Sequence, residues 1–130
     1  MGSIWRLVKG GCLLAVKLIR SENYEFEKMD GTIGPGEGLI SRSVTDEVSE
    51  TLGAGIVILK QCKFPWTLLY DETIYVIDGE VKIETDGNRF IGHQGDSFFI
   101  EKGTSIIYES TTQASFYYAL YPANWKHKYR

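Results

Sequence analysis

Residues 53–121 consist of short apolar runs separated by turns, most of which contain glycine. In one of these runs Val81 and Ile83 alternate with Lys82 and Glu84, a period of two that is typical of a strand with one buried face. The same pattern predicts at least seven short strands, at residues 56–61, 73–77, 80–85, 89–91, 98–100, 106–108 and 115–121. Strands so short and closely spaced predict an all-β, antiparallel sandwich or barrel with little helix.

Two Asp-Gly pairs, Asp78-Gly79 and Asp86-Gly87, stand between predicted strands. Asp-Gly favours the two-residue turn whose twist matches that of paired strands. Each pair therefore predicts a hairpin between the strands that flank it.

Composition limits the classes of protein to which the chain can belong. Its 130 residues, 43% of them hydrophobic, are enough for one domain with its own core. Seventeen acidic residues against 14 lysines and arginines give a net charge of −3, which argues against a nucleic-acid partner. No apolar run is long enough to predict a membrane span. Cys12 and Cys62 fit neither a zinc spacing nor a disulfide framework, and they indicate a reducing, cytoplasmic location.

The start of the chain is basic, because residues 1–21 carry four bases and no acid. Residues 12–19 are predicted to form a strand. Residues 1–8 leave three alternatives open: a cloning remnant, an arm that adds a strand to a partner, or a short amphipathic targeting segment.

The side chain of Glu72 is predicted to point into the apolar interior. Strand alternation places it on the same face as Ile74 and Val76. Burying an unpaired carboxylate costs several kcal/mol, so an inward Glu72 needs a cation, a metal or hydroxyl donors. Two interpretations stay open: a glutamate at the rim that a tyrosine satisfies, and a carboxylate that binds a ligand.

The last predicted strand also separates two faces. Phe116, Tyr118 and Leu120 share one face, and Tyr117 and Tyr121 lie on the other. One face is expected to be core, and the opposite one the sheet exterior or a dimer contact.

Two motifs resemble those of the cupin superfamily. Glu72 and Gly79 match the end of the first cupin motif, and Gly95 and Gly103 match the glycines of the second. The resemblance covers about residues 53–121. It implies a cupin double-stranded β-helix, which is an antiparallel jelly-roll barrel.

The usual metal ligands of cupins are missing from these motifs. Trp66, Leu68 and Ile106 occupy the three histidine positions, and only Glu72 remains of the four ligands that the resemblance implies. One glutamate cannot hold zinc or iron firmly, since such metals are held by imidazole, thiolate or several carboxylates. We therefore expect no tightly bound transition metal.

Two longer strings resemble one family more narrowly. The sequence FPWTLLYDE at residues 64–72 and the sequence PANW at residues 122–125 resemble the cupin domain of the EutQ family of ethanolamine utilisation proteins. With this resemblance the chain divides into residues 1–22, an N-terminal arm with the first strand, and residues 23–130, the cupin domain. The resemblance implies ethanolamine breakdown within a bacterial microcompartment in the cytoplasm. It also implies an acetate kinase activity, with Mg²⁺ and ATP as its cofactors.

The candidate site combines Glu72 with side chains that the two motifs bring near it. Trp66, Tyr70, Ile106 and Tyr108 are predicted to line a pocket around Glu72, which is the candidate catalytic residue. A carboxylate beside aromatic rings suits a small cation such as an amine.

Non-catalytic roles stay open beside the kinase. The chain lacks a GxxxxGK[ST] phosphate-binding loop, which argues against P-loop chemistry. The alternatives are a microcompartment assembly factor and a cupin that binds a small molecule. The expected partners are a second copy in a homodimer, a microcompartment shell protein and a small-molecule ligand, with neither nucleic acid nor membrane.

Overall fold

The computed structural model describes residues 15–128, which form a 3-10 turn at Ser21–Asn23, eight strands and one short helix. The elements are β1 (Glu27–Lys28), β2 (Glu37–Val44), β3 (Gly53–Thr67), β4 (Asp71–Asp78), β5 (Glu80–Thr85), β6 (Asn88–His93), β7 (Ser97–Ile100), β8 (Ser105–Tyr121) and α1 (Trp125–Lys128). In this part of the chain no helix has the length and apolar character needed to cross a membrane.

Two long strands, β3 and β8, form the centre of the barrel. They pair antiparallel from Gly53 with Leu120 to Thr67 with Ser105. The strand order is β1-β2-β3-β8-β4-β7, and β5 pairs with both β6 and β8. The first part of β8 pairs with β5 and the last part with β4, so β8 contributes to both sides of the barrel. The predicted all-β, antiparallel architecture is confirmed.

Strand alternation fills the interior of the barrel. Val81 and Ile83 on β5 are buried, as are Phe116, Tyr118 and Leu120 on β8. The outward Tyr117 and Tyr121 are exposed, so the face that carries Phe116, Tyr118 and Leu120 is the core face of the last strand. The core also contains Val57, Leu59, Cys62, Leu68, Ile74, Val76, Ile100, Ile106 and Ala114.

The prediction of a hairpin at Asp78-Gly79 is wrong. The strands on either side, β4 and β5, do not pair with each other; both pair with β8. Gly79 has a φ of 77°, and a Cβ there would lie 2.2 Å from the carbonyl oxygen of Gln113. The glycine therefore lets the chain run close along β8 while it crosses from one side of the barrel to the other.

The hairpin predicted at Asp86-Gly87 is confirmed. β5 and β6 pair in register up to Thr85 with Asn88, and both turn residues have positive φ, 52° and 80°. This is the backbone geometry that Asp-Gly favours in a two-residue hairpin.

Several predicted strands end earlier than the observed ones, because the observed strands bend and continue where the sequence predicts an end. Residues 106–108 and 115–121 belong to one strand, β8, and the strand predicted at residues 56–61 extends over all of β3. A register shift beside Gln61, whose φ is 48°, marks a bulge at which β3 changes direction.

The start of the described region is not a strand. Residues 15–20 have no regular secondary structure and are exposed, so this part of the strand predicted at residues 12–19 does not form. Residues 12–14, and the segment 1–8 for which alternatives were open, lie outside the described residues.

Candidate functional site

A cavity of about 530 Å³ lies inside the barrel beside Glu72. Its inner walls are aromatic and aliphatic side chains from β2, β3, β4 and β8. Its rim is charged, with residues from β1, from the loop after β2 and from α1. The barrel is therefore filled on one side and hollow on the other.

β4 carries Glu72 into this cavity. Ile74 and Val76 point inward with it, whereas Asp71 and Thr73 are exposed. The Glu72 side chain is only 5% exposed, and its Oε1 accepts a hydrogen bond of 2.5 Å from the Tyr108 hydroxyl. Tyr108 comes from β8, on the opposite wall, so the bond joins two strands that do not pair at this point.

Burial makes the carboxylate of Glu72 unusual. Removal from water raises its pKa to about 7, and the hydrogen bond from Tyr108 offsets part of that rise. No lysine, arginine or histidine within the described residues bonds to Glu72. The group therefore exchanges a proton near neutral pH, and its negative charge has a hydroxyl but no cation as a described partner.

Tyrosine hydroxyls surround the carboxylate. Tyr70 accepts a hydrogen bond of 2.9 Å from the indole nitrogen of Trp66, and Tyr118 also lines the cavity. Burial, with the charge of Glu72 as a further cause, raises the pKa of Tyr70 and of Tyr108 well above the ordinary value. Burial likewise raises the pKa of Tyr118 to about 12. These tyrosines are therefore neutral hydrogen-bond donors at physiological pH.

Stacked rings form one wall of the cavity. Tyr108 stacks between Phe64 and Phe116, with ring centroids 6.1 and 5.7 Å apart. Phe64 stacks in turn on Trp66 at 5.7 Å. Phe64 and Tyr108 thus have a ring on each side, and the stack forms an apolar wall near the carboxylate.

The C-terminal helix closes part of the rim. Trp125 in α1 packs edge-on against Trp66, with ring centroids 5.8 Å apart. It also packs against Tyr70 in a tilted arrangement, with ring centroids 5.2 Å apart. His127 Nε2 lies 2.9 Å from an Asp46 carboxylate oxygen. Across the rim, Arg42 on β2 forms an ion pair with Glu27 on β1.

The structure brings most of the predicted site residues together. Trp66, Tyr70, Glu72 and Tyr108 all line the cavity. Ile106 does not; it is buried in the core and lines a separate shallow depression on the other side of Trp66. The residue is apolar and its position comes from motif spacing alone, which does not tell a lining side chain from a packed one.

Sequence reasoning missed Arg42, Trp125 and His127 as cavity residues. Trp125 packs against the core and His127 lines the rim. A signal for Arg42 was present, because it shares a strand face with the apolar Ile40 and Val44.

Residues 15–128 contain no group of three or more histidine, cysteine, aspartate and glutamate side chains that could hold a metal ion. His93 is exposed at the end of β6, where its Nε2 lies 3.0 Å from Oε2 of Glu80. His127 lies at the rim. Within this range, Glu72 is thus the single carboxylate in the barrel core.

Comparison with known proteins places the chain in a family. Residues 3–127 match the model of the family described as "Ethanolamine utilisation protein EutQ". A relative from Escherichia coli K12, named "Acetate kinase EutQ", is 36% identical over 118 residues, 91% of this chain. That match covers 48% of the relative, so the chain spans about half its length.

Solved structures agree with this assignment. The crystal structure of an ethanolamine utilisation protein Q from Salmonella typhimurium superimposes with a TM-score of 0.77 and 35% identity, over 84% of this chain and 88% of that one. An RmlC-like cupin from Shewanella frigidimarina gives a TM-score of 0.65 at 20% identity, over 84% and 93% of the two chains. The second similarity shows the cupin fold alone. Together, the family match, the identity to the relatives and the barrel itself establish that this chain is a cupin of the EutQ family of ethanolamine utilisation proteins.

Proposed function

We propose that this chain binds a small organic molecule with an ammonium group in the cavity around Glu72, and that it serves ethanolamine utilisation through this binding. The main observation in support is the buried carboxylate of Glu72, which faces a cavity of about 530 Å³ and has only the Tyr108 hydroxyl as a described partner. An ammonium group supplies the counter-charge that burial makes favourable.

The walls suit such a ligand on two grounds. The stacked rings of Phe64, Trp66 and Tyr108 form an apolar wall against which the carbon chain of a ligand can pack. The hydroxyls of Tyr70 and Tyr118 can exchange hydrogen bonds with a polar group on the same molecule. Apolar walls with few convergent polar groups are typical of small-molecule sites.

Calorimetric titration with ethanolamine tests this proposal. At about pH 8 Glu72 is mostly ionised, and we expect saturable binding. Glu72→Gln keeps the size of the side chain and removes its charge, so it should weaken binding at least tenfold, which is about 1.4 kcal/mol. Glu101→Gln is the matched control, because Glu101 is exposed in a turn away from the cavity. Equal affinity in wild type and Glu72→Gln contradicts the proposal.

A second candidate function, acetate kinase activity, is supported by the printed names of the curated relatives. A protonated Glu72 can donate a hydrogen bond to acetate, and its pKa of about 7 keeps that form populated. Formation of acetyl phosphate from ATP and acetate, trapped with hydroxylamine, tests this candidate. Activity that is lost in Glu72→Leu, which has no hydrogen-bond donor, and kept in Glu101→Gln assigns the reaction to the cavity; equal activity in wild type and Glu72→Leu excludes the cavity.

The residues of the cavity do not offer a preformed Mg²⁺ site for such a reaction. Mg²⁺ is usually held by one or two carboxylates together with waters and substrate phosphates. Glu72 is a single carboxylate among rings and is bonded to Tyr108, while Glu27 and Asp46 at the rim pair with Arg42 and His127. In a kinase reaction Mg²⁺ would therefore have to arrive with the nucleotide.

We further propose that two copies associate through the outer face of β4, β7 and β8. Tyr75, Phe99 and Tyr117 lie exposed there, at 53%, 68% and 38%, and β7 ends the strand order. Among the described strands β7 has no partner on its outer side, and an exposed apolar face beside such an edge favours pairing with a second copy. Light scattering should give the mass of a dimer, and Phe99→Lys should shift it to a monomer.

We also propose a place in the bacterial microcompartment that the family resemblance implies, where the non-catalytic alternative is assembly with a shell protein. Co-sedimentation of the chain with shell protein tests that alternative. Glu72→Gln distinguishes ligand binding from shell assembly. It should weaken ligand binding in the cavity, and it should leave assembly through an outer surface unchanged because the Glu72 carboxylate is buried.

A further inference from the structure

The cavity has a positive group facing it as well as a negative one. Ile40, Arg42 and Val44 on β2 line it, and the Arg42 side chain, which is 43% exposed, stands at its rim. Arg42 pairs in register with Gly55 on β3. A Cβ at Gly55 would lie 2.7 Å from the Tyr118 hydroxyl oxygen. Because glycine has no Cβ, the Tyr118 hydroxyl can lie beside Gly55, which is the residue that pairs with Arg42.

Two hydroxyls lie under the influence of both charges. The guanidinium of Arg42 acts to lower the pKa of Tyr118 and of Tyr70, against the larger effect of burial, while the carboxylate of Glu72 acts to raise both. Tyr70 and Tyr118 line the same cavity as both charged groups. The cavity therefore has a negative pole at Glu72, a positive pole at Arg42 and two hydroxyls in the same lining.

We propose that the ligand is a small zwitterion, with its ammonium group at Glu72 and its carboxylate or phosphate at Arg42. This inference rests on the proposed function and narrows the ligand class. A guanidinium holds either anion with two parallel hydrogen bonds, and the hydroxyls of Tyr70 and Tyr118 can bond to the atoms between the two ends.

The ion pair of Arg42 with Glu27 does not oppose this arrangement. The two side chains are 43% and 68% exposed, and ion pairs in such positions contribute little to stability. Replacement of the Glu27 carboxylate by that of a ligand exchanges one anion for another at the same guanidinium. Lys28 and Lys126 also stand on the rim and add positive charge, while Asp30 and Asp46 oppose it.

A titration series at about pH 8 tests the inference with four probes. Ethanolamine carries only the cation, acetate only the anion, and β-alanine and O-phosphoethanolamine carry both. We expect the preferred zwitterion to bind at least about tenfold tighter than ethanolamine, and the comparison of β-alanine with O-phosphoethanolamine identifies the anion. Ethanolamine binding as tightly as both zwitterions overturns the inference and leaves the proposed function intact. No binding of any probe overturns both.

Variants at the positive pole give an independent measurement. Arg42→Gln should remove the advantage of the zwitterion, so that the zwitterion and ethanolamine bind with affinities within about twofold of each other. Glu27→Gln releases Arg42 and should increase the ratio of zwitterion affinity to ethanolamine affinity. Arg89→Gln on β6, away from the cavity, is the matched control. If Arg42→Gln remains folded and keeps the full preference for the zwitterion, the assignment of the positive pole is wrong.

Discussion

The two ends of the inner face of β4 differ sharply. At one end, Ile74 and Val76 are almost fully buried in the core cluster with Val81 and Ile83, and none of these four residues lines the cavity. At the other end, two residues earlier, Glu72 faces a cavity of about 530 Å³ with tyrosines around it. One strand thus contributes both to the stability of the barrel and to its site.

This difference teaches that inward direction and close packing are separate properties. Alternation alone directs all three side chains inward. Whether the space around them is filled depends on partners from distant strands: Tyr108 on β8 meets Glu72 across the cavity, while Phe116 lies opposite Val76 in the register of β4 and β8. We expect substitutions in the packed region to change stability and those in the hollow region to change ligand binding and pH dependence.

The largest expected effect comes from the packed region. Ile74→Ala leaves a cavity in tightly packed surroundings and should lower the free energy of unfolding by about 4 kcal/mol. Urea unfolding followed by fluorescence measures this loss. A decrease of less than about 1 kcal/mol would mean that the region can collapse around the change, and the contrast between the two ends of β4 would disappear.

The next effect is a pH dependence that Glu72 imposes on stability. Burial raises the pKa of Glu72 from 4.5 to about 7, so the folded state binds a proton more tightly than the unfolded state. The stabilisation is fully present below about pH 4.5 and is lost as the pH rises through about 7. It should amount to up to about 3 kcal/mol.

Unfolding of the ligand-free protein between about pH 5 and pH 8 measures this dependence. Wild type should lose stability over the range, and Glu72→Gln should lack that part of the loss. Glu101→Gln, with an exposed carboxylate, should behave as wild type. If the free energy of unfolding of Glu72→Gln depends on pH in the same way as that of wild type, another group is responsible for the pH dependence.

A smaller effect is expected from the hydrogen bond across the cavity. Tyr108→Phe removes the donor to Glu72 and should cost about 2 kcal/mol at about pH 8, where the carboxylate is charged. At about pH 5 the loss should be smaller, because a protonated carboxyl group needs the donor less. Tyr117→Phe, on the outer face of the same strand, is the control and should be nearly neutral at both pH values.

The smallest effect is expected at the rim. His127 Nε2 lies 2.9 Å from an Asp46 carboxylate oxygen, and the two side chains are 67% and 33% exposed. His127→Gln should therefore change the free energy of unfolding by less than about 0.5 kcal/mol. A loss above about 1 kcal/mol in thermal or urea unfolding would show that α1 is held to the barrel by this contact more than by Trp125.

Local patterns in the sequence predicted the inner face well. The alternation at Val81 and Ile83 and the position of Glu72 relative to Ile74 each need only neighbouring residues, and the structure agrees with them. The Asp86-Gly87 hairpin is also a local feature, since both strands lie next to the turn. The motifs identified the cupin barrel and the EutQ family from residues separated by fixed spacings.

The sequence could not supply what depends on distant partners. Asp78-Gly79 carries the same turn signal as Asp86-Gly87, yet β8 provides the partners for both flanking strands, and no local rule contains that information. Arg42 and Trp125 reach the cavity only after β2 and α1 have packed on the barrel. Ile106 shows the reverse case, because motif spacing placed it in the pocket and packing left it in the core.

The most direct test of the central claim is the titration of the Glu72 carboxyl carbon by ¹³C NMR, with Glu72→Gln used to assign its signal. A buried carboxylate without a cation predicts a midpoint near 7 in the ligand-free protein. Saturation with an ammonium ligand should move the midpoint to lower pH, because the cation stabilises the charged form. A midpoint near the ordinary value of 4.5 without ligand would contradict the account, since the carboxylate would then be hydrated like one at the surface.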